Sequence, residues 1–379
     1  MGDRSATSHH ASGSQLANTL SPYNAVLLVS FGGPERPEDV MPFLKNVTRG
    51  RGIPSERLVE VSQHYLLFGG RSPINDQCRS LLAALTNELE RRGIELPLYW
   101  GNRNWNPYLN DELRAIDRDG HRRVLAVVTS AYPSYSSCRQ YRENLFDAAH
   151  DTQVQIDRLR HYANHPGFVE VAVDGTLKAL ETLGNSSDEA RLVFVTHSIP
   201  MTMAETAGPV PRSASGAYVD WHTVVAAAVT DRVSEHRGRR YESDLVYCSR
   251  SGSPSQPWLE PDINDHLRQL AASGVPAVVA VPIGFVSDHM EVVFDLDTEA
   301  AATAKESGLA FARAASAGDH PVFVSGLVDL MVERAAAARG EQPNRPVVGS
   351  GTVGWYECST DCCPNIRAPG RPALCQVRS

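Results

Sequence analysis

Six short apolar runs punctuate the chain, at residues 25–31, 96–100, 124–128, 191–196, 244–248 and 277–282. They are continuous rather than alternating, the pattern of strands buried on both faces, and so predict a parallel sheet covered by helices. Between them apolar side chains recur at helical spacing, over 75–92, 165–182, 262–272 and 322–338. Strand and helix in alternation predict an α/β protein. A polar break after residue 184 divides the strands into an earlier and a later set, so two layered domains are expected at 23–184 and 185–320. The helix at 321–340 is expected to pack back on the first domain. Residues 1–22, rich in Ser, Thr, Ala and His, predict a disordered N-terminal segment. Residues 341–379 begin Pro/Gly-rich, end cysteine-rich, and form an extension too short for a core of its own.

Composition narrows the function. A chain of 379 residues, 42% hydrophobic, is long enough for roughly two domains. Its net charge of −8 and lack of a basic stripe exclude a nucleic-acid partner. Lysine occurs only at Lys45, Lys178 and Lys305 while arginine is abundant, the bias of a GC-rich bacterial genome. No basic start precedes an apolar core and a small-residue cleavage site. Nowhere do about 18 apolar residues run together. A soluble, cytoplasmic protein without a transmembrane anchor is expected, and a monomer.

Cysteines add a second signal. Cys358, Cys362, Cys363 and Cys375 crowd the end of the chain, whereas Cys78, Cys138 and Cys248 are scattered singly. A disulfide framework does not fit a long chain in a reducing compartment. A soft metal ion or an iron–sulfur cluster does.

Ligands of open parallel sheets lie beyond the carboxyl ends of the strands. The run at 191–196 leads into His197, and the run at 277–282 leads into residues 284–291 (GFVSDHME). From there Asp288, Glu291, Asp295 and Glu299 follow at steps of three, four and four, which on a helix makes one acidic stripe. A solvated face is the plain explanation of such a stripe. Its start at a strand end, beside a histidine and among Val292, Val293, Phe294 and Leu296, favours a metal path. Imidazole and carboxylate together accept protons near neutrality and hold a divalent metal weakly enough to release it.

Six ordered motifs carry a resemblance: 28–35 (LVSFGGPE), Tyr65 with 69–73 (GGRSP), 132–136 (YPSYS), 196–201 (THSIPM), 258–261 (WLEP) and 287–291 (SDHME). From residue 24 to 338 the chain resembles ferrochelatase. The resemblance implies two Rossmann-like α/β/α domains of the chelatase fold, with a cleft between them for a porphyrin that receives Fe²⁺ as substrate. It assigns His197 as proton acceptor and Glu291 as the carboxylate facing it from the opposite wall, assisting or receiving iron. Asp295 and Glu299 resemble a carboxylate row for iron or protons, and Asp288 and His289 hold the turn beneath. Porphyrin contacts are implied for Phe31, Arg49, Arg51, Tyr65, Ser72, Arg103, Tyr132 and Trp258. Phe31 cannot ligate iron. The glycines at Gly32 and Gly33 serve either a plain tight turn or close approach to a flat ligand.

Some members of this family hold a [2Fe–2S] cluster with one internal and three C-terminal cysteines, which implies Cys138, Cys358, Cys362 and Cys363 here. Cys375 competes for one of the tail positions, Cys78 and Cys248 read as structural thiols, and zinc is the alternative occupant. Mixed, charged segments at 144–151 and 153–160, where a lipid-dipping lip would be apolar, favour coproporphyrin III over protoporphyrin IX as substrate. Two other readings stay open: a cobalt or nickel chelatase of the same fold, and a cluster-based iron or redox sensor with a chelatase-like cleft.

Overall fold

The computed structural model describes residues 19–50, 52–252 and 255–376. The first domain runs β1 (Ala25–Ser30), α1 (Pro37–Val47), α2 (Ser55–Leu67), α3 (Ile74–Arg91), β2 (Leu98–Asn102), α4 (Leu109–Arg118), β3 (Arg123–Val128), α5 (Gln140–Ala149) and β4 (Gln155–Arg158). Then come α6 (Pro166–Thr182), β5 (Ala190–His197), α7 (Met201–Glu205), α8 (Gly216–Arg237), β6 (Ser243–Cys248), α9 (Ile263–Ala272), β7 (Ala277–Val281), α10 (Met290–Val292), α11 (Ala301–Glu306), β8 (Ala310–Arg313) and α12 (Pro321–Ala338).

Two parallel four-stranded sheets result, ordered β2-β1-β3-β4 and β6-β5-β7-β8. Every residue of β1 and of β7 is buried, as continuous apolar runs require. The two orders are the same, 2-1-3-4, so each sheet reverses direction between its first and third strands, where a crevice opens at the carboxyl edge. In the second sheet that crevice lies between the ends of β5 and β7.

A continuous apolar core joins the domains, running from Leu28 and Leu81 through Phe168 and Phe194 to Leu327 and Met331. Helix α6 packs on β7, β8 and α8, so the helix expected to close the first domain covers a face of the second sheet. Helix α12 lies against α6 and α3 and thereby touches both halves. Of the N-terminal segment expected to be disordered, residues 1–18 fall outside the described residues. Thr19 to Pro22 form a turn that buries Leu20, because its side chain completes the same core. Among the described residues no helix is long and apolar enough to cross a membrane.

Candidate active site

His197 is the last residue of β5, in register with Cys248 at the end of β6. Its Nδ1 donates to the Ser198 carbonyl at 2.5 Å, since a carbonyl can only accept, which leaves the Nε2 lone pair facing outward. Nε2 lies 3.4 Å from Glu291 Oε2. Both residues therefore rise from the second sheet and share one wall. They do not face each other across the cleft as expected, because Glu291 follows β7, the hydrogen-bonded neighbour of the strand that carries His197. Burial disfavours the imidazolium but is outweighed by the hydrogen bond and charge of Glu291, with help from the Ser198 carbonyl and Asp295, so the His197 pKa is raised.

The acidic row is built differently from the α-helix its spacing predicts. Val293–Ala300 is a π-helix, flanked by α10 and α11. Wide turns of this kind are rare and recur at functional sites. Glu291, Asp295 and Glu299 still follow one another at steps of four, with Asp295 half-buried between two exposed carboxylates. Burial pushes the Asp295 carboxyl up to about 7; the Ser249 hydroxyl, which donates to it, and His197 oppose this, while Glu291 and Glu299 reinforce it. Asp288 accepts from both terminal nitrogens of Arg313 at 3.2 Å, and its backbone N–H donates to Gln77 of α3 at 2.8 Å. This residue ties the loop to the first domain. His289 caps α10 edge-on to Phe285, and burial lowers its pKa.

Helices α1 and α2 form a flap over this wall. Phe43 and Tyr65 pack with Met290, and the His64 ring stacks on Phe294 at 3.9 Å and 9°. The residues expected to hold porphyrin are spread around it. Phe31 and Arg103 lie together, with the guanidinium 5.6 Å from the ring and donating to Asn144 at 2.7 Å. Arg49 is exposed at the end of α1, and Arg51 lies outside the described residues. Tyr65, on α2 of the flap itself, and Ser72, just after it, are both buried. Tyr132 sits behind the wall, stacked on His222 at 3.5 Å, so it supports the site from within the core. Trp258 is half-buried near Pro200, just past His197. A Cβ on Gly33 would meet Ser72 Cβ at 2.7 Å, and Gly32 has φ of 81°, so these glycines serve a turn packed against protein.

Two residues here were not anticipated. Ser249 stands in a left-handed conformation, φ 60°, to reach Asp295. Tyr218 of α8 donates to the His197 carbonyl at 2.9 Å and shares a hydrogen bond with Thr196. The strand-end rule that found His197 also points at Ser249, directly after β6. Nothing in the sequence marks Tyr218.

The family model for Ferrochelatase matches residues 23–335. The chain belongs to the ferrochelatase family. Proteins named coproporphyrin III ferrochelatase from Streptomyces coelicolor and Streptomyces griseus are each 55% identical to it over 361 residues, 93% of this chain and 96% of theirs. One from Leifsonia xyli is 50% identical over 371 residues, covering 93% and 94%. This ferrochelatase-family chain thus places the histidine and carboxylate of its site at the switch point of the second sheet.

Its tail brings a separate group of thiols together. Cys138, Cys358, Cys362 and Cys363 are buried and close enough to shift one another's proton affinity in a chain, Cys138 with Cys358, Cys358 with Cys362, and Cys362 with Cys363, the last pair 4.0 Å apart. Cys375 stands apart, its thiol on the Ile156 carbonyl at 3.8 Å. Cys358 is pulled toward thiolate by hydrogen bonds from Cys138 and Cys362 and by the charges of Arg158 and Arg142, against burial. Arg158 donates to Cys358 Sγ and the Gly208 N–H to Cys363 Sγ, both at 3.2 Å. Among the described residues no three His, Cys, Asp or Glu side chains are already spaced around a single metal ion. The donor set nevertheless fits an anionic sulfur-ligated group: Arg142 Nη1 and Arg158 Nε are buried beside it without a partner.

Proposed function

We propose that the protein inserts Fe²⁺ into coproporphyrin III to give coproheme in heme biosynthesis, acting in the cytoplasm. The observation that carries this reading is the His197–Glu291 pair at 3.4 Å, in a chain of the ferrochelatase family whose relatives bear the coproporphyrin name. A free-base porphyrin must shed its inner N–H protons before a metal can settle among the nitrogens. His197 is set up to take one, because Nδ1–H is committed to the Ser198 carbonyl and Nε2 is left as the acceptor. Glu291 and Asp295 stabilise the imidazolium that forms. With its carboxyl near 7, Asp295 passes a proton outward or releases iron inward at neutral pH, and exposed Glu299 ends the row. A cleft complementary to a saddled macrocycle favours the geometry in which nitrogen lone pairs point at the metal.

We further infer that Cys138, Cys358, Cys362 and Cys363 hold a [2Fe–2S] cluster. Four buried, mutually interacting thiols and two buried guanidinium groups, each with one nitrogen lacking an acceptor, support it. When bound, it supplies a compact anion that ties the tail to the body of the protein.

The test is to incubate purified protein anaerobically with Fe²⁺ and either coproporphyrin III or protoporphyrin IX, following loss of free-base absorbance. Coproporphyrin III is expected to turn over at least tenfold faster. Preference for protoporphyrin IX would transfer the substrate assignment, and no turnover of either would sink the enzyme reading. His197→Ala is expected to lower the rate by about 10²-fold or more, the usual scale of general-base loss. Activity within a few-fold of the parent would show that another group takes the proton.

A further inference from the structure

We propose that Arg142 and Arg158 are the charge-neutralising shell of the cluster and hold its reduction potential up. This rests on the cluster assignment above and names the groups that set the cluster's electronic state. Arg142 on α5 and Arg158 at the end of β4 are 1% and 5% exposed. Arg142 donates to the carbonyls of Leu374 at 2.7 Å and Cys375 at 3.1 Å. Arg158 donates to the Leu159 carbonyl at 3.1 Å and to Cys358 Sγ at 3.2 Å. The other guanidinium groups buried nearby all have carboxylates: Arg139 with Glu143 at 3.3 Å, Arg160 with Glu333 at 2.8 Å and Arg334 with Asp157 at 3.1 Å. Among the described residues Arg142 and Arg158 form no such ion pair, and each keeps a buried N–H without an acceptor.

Two buried cations without counter-charge are strongly destabilising. The sulfurs are the groups that answer them. The charge of Arg158 acts on Cys138 and Cys358, and that of Arg142 on Cys138, Cys358 and Cys363. Four thiolates holding two ferric ions and two sulfides form a dianion, which two guanidinium groups neutralise. His161, next to them, adds no charge, because burial and then Arg158 push its pKa down to about 3. One-electron reduction makes the cluster a trianion, and a positive shell lowers the cost of that extra charge relative to apolar surroundings.

The experiment uses the full chain purified anaerobically, with iron and acid-labile sulfide measured first and the potential then followed by mediated spectroelectrochemical titration. Absence of both in the parent overturns the cluster assignment itself. With the cluster present, Arg142→Met and Arg158→Met are each expected to make it harder to reduce. At the parent's midpoint the reduced-to-oxidised ratio falls at least tenfold, about 59 mV for one electron. Unchanged midpoints in both variants overturn the shell and leave the cluster standing. Should the Met variants assemble without a cluster, Arg142→Lys and Arg158→Lys are read instead. Clusters retained with ratios within threefold of the parent support the proposal, and loss in these charge-keeping variants overturns it.

Discussion

Asp295 shows how its surroundings reset the proton affinity of a single side chain. Its half-buried carboxyl stands between Glu291 and Glu299 in the row, with Ser249 donating to it, and is pushed up to about 7 from an ordinary 3.8. The folded state therefore keeps a proton that the unfolded chain has already released, and stability falls as pH rises from about 4 to 7. Asp295→Asn removes the charge that causes the loss. Thermal melts are expected to show a gain over the parent that is larger at pH 8 than at pH 5; equal gains at both would remove the electrostatic explanation. His197 and Glu291 were legible because they lie at or beyond strand ends and fall in ordered motifs, and Asp295 because it continues the acidic stripe that starts there. Ser249 and Tyr218 were not, for physical reasons. Ser249 matters through a left-handed backbone, which non-glycine residues adopt at a cost. Tyr218 acts through the carbonyl of His197, and a contact to backbone leaves no trace in residue type.

Among the elements, six strands were read from their apolar runs, and β4 and β8 were missed. Both are four-residue edge strands, QIDR and AFAR, whose partly exposed positions remove the continuous apolar signal. The acidic stripe was legible, but its π-helical winding was not, since residues at steps of three and four fall on one face either way. The close fit of β5 to the loop after β7 gives this scale its prediction. A Cβ on Gly284 would lie 2.1 Å from Thr196 Oγ1 and 2.8 Å from Thr196 Cα, so Gly284→Ala must displace the strand end that carries His197. Turnover is expected to fall at least tenfold with little change in far-ultraviolet circular dichroism. Activity equal to the parent's would mean that the strand end yields without moving the imidazole.

At the scale of the molecule, the two-domain plan was legible from alternating patterns, whereas the route of the tail was not, because it is fixed by arginines distant in sequence. Arg160 forks onto Glu333 of α12 at 2.8 and 3.0 Å, and the Tyr356 hydroxyl reaches the same carboxylate at 2.5 Å. Arg160→Leu takes the buried two-point partner from Glu333 and leaves it Tyr356 and the more distant Arg345 at 3.6 Å, so it is expected to cost about 3 kcal/mol in denaturant unfolding. Adding Glu333→Leu should restore more than half of that, and a double variant as unstable as the sum of the singles would show the pair to be uncoupled. Beyond this bridge, Arg139 of the first domain holds the carbonyls of Thr360 and Arg371, while Gly208 and Arg212 of the second hold Cys363 Sγ and the Asp361 carbonyl. The tail is thus stitched to both halves, like the spine of a bound book. That edge is closed by covalent chain running across both covers, whereas at the flap the two halves meet only through side chains, the His64–Phe294 stack and the packing of Phe43 and Tyr65 on Met290.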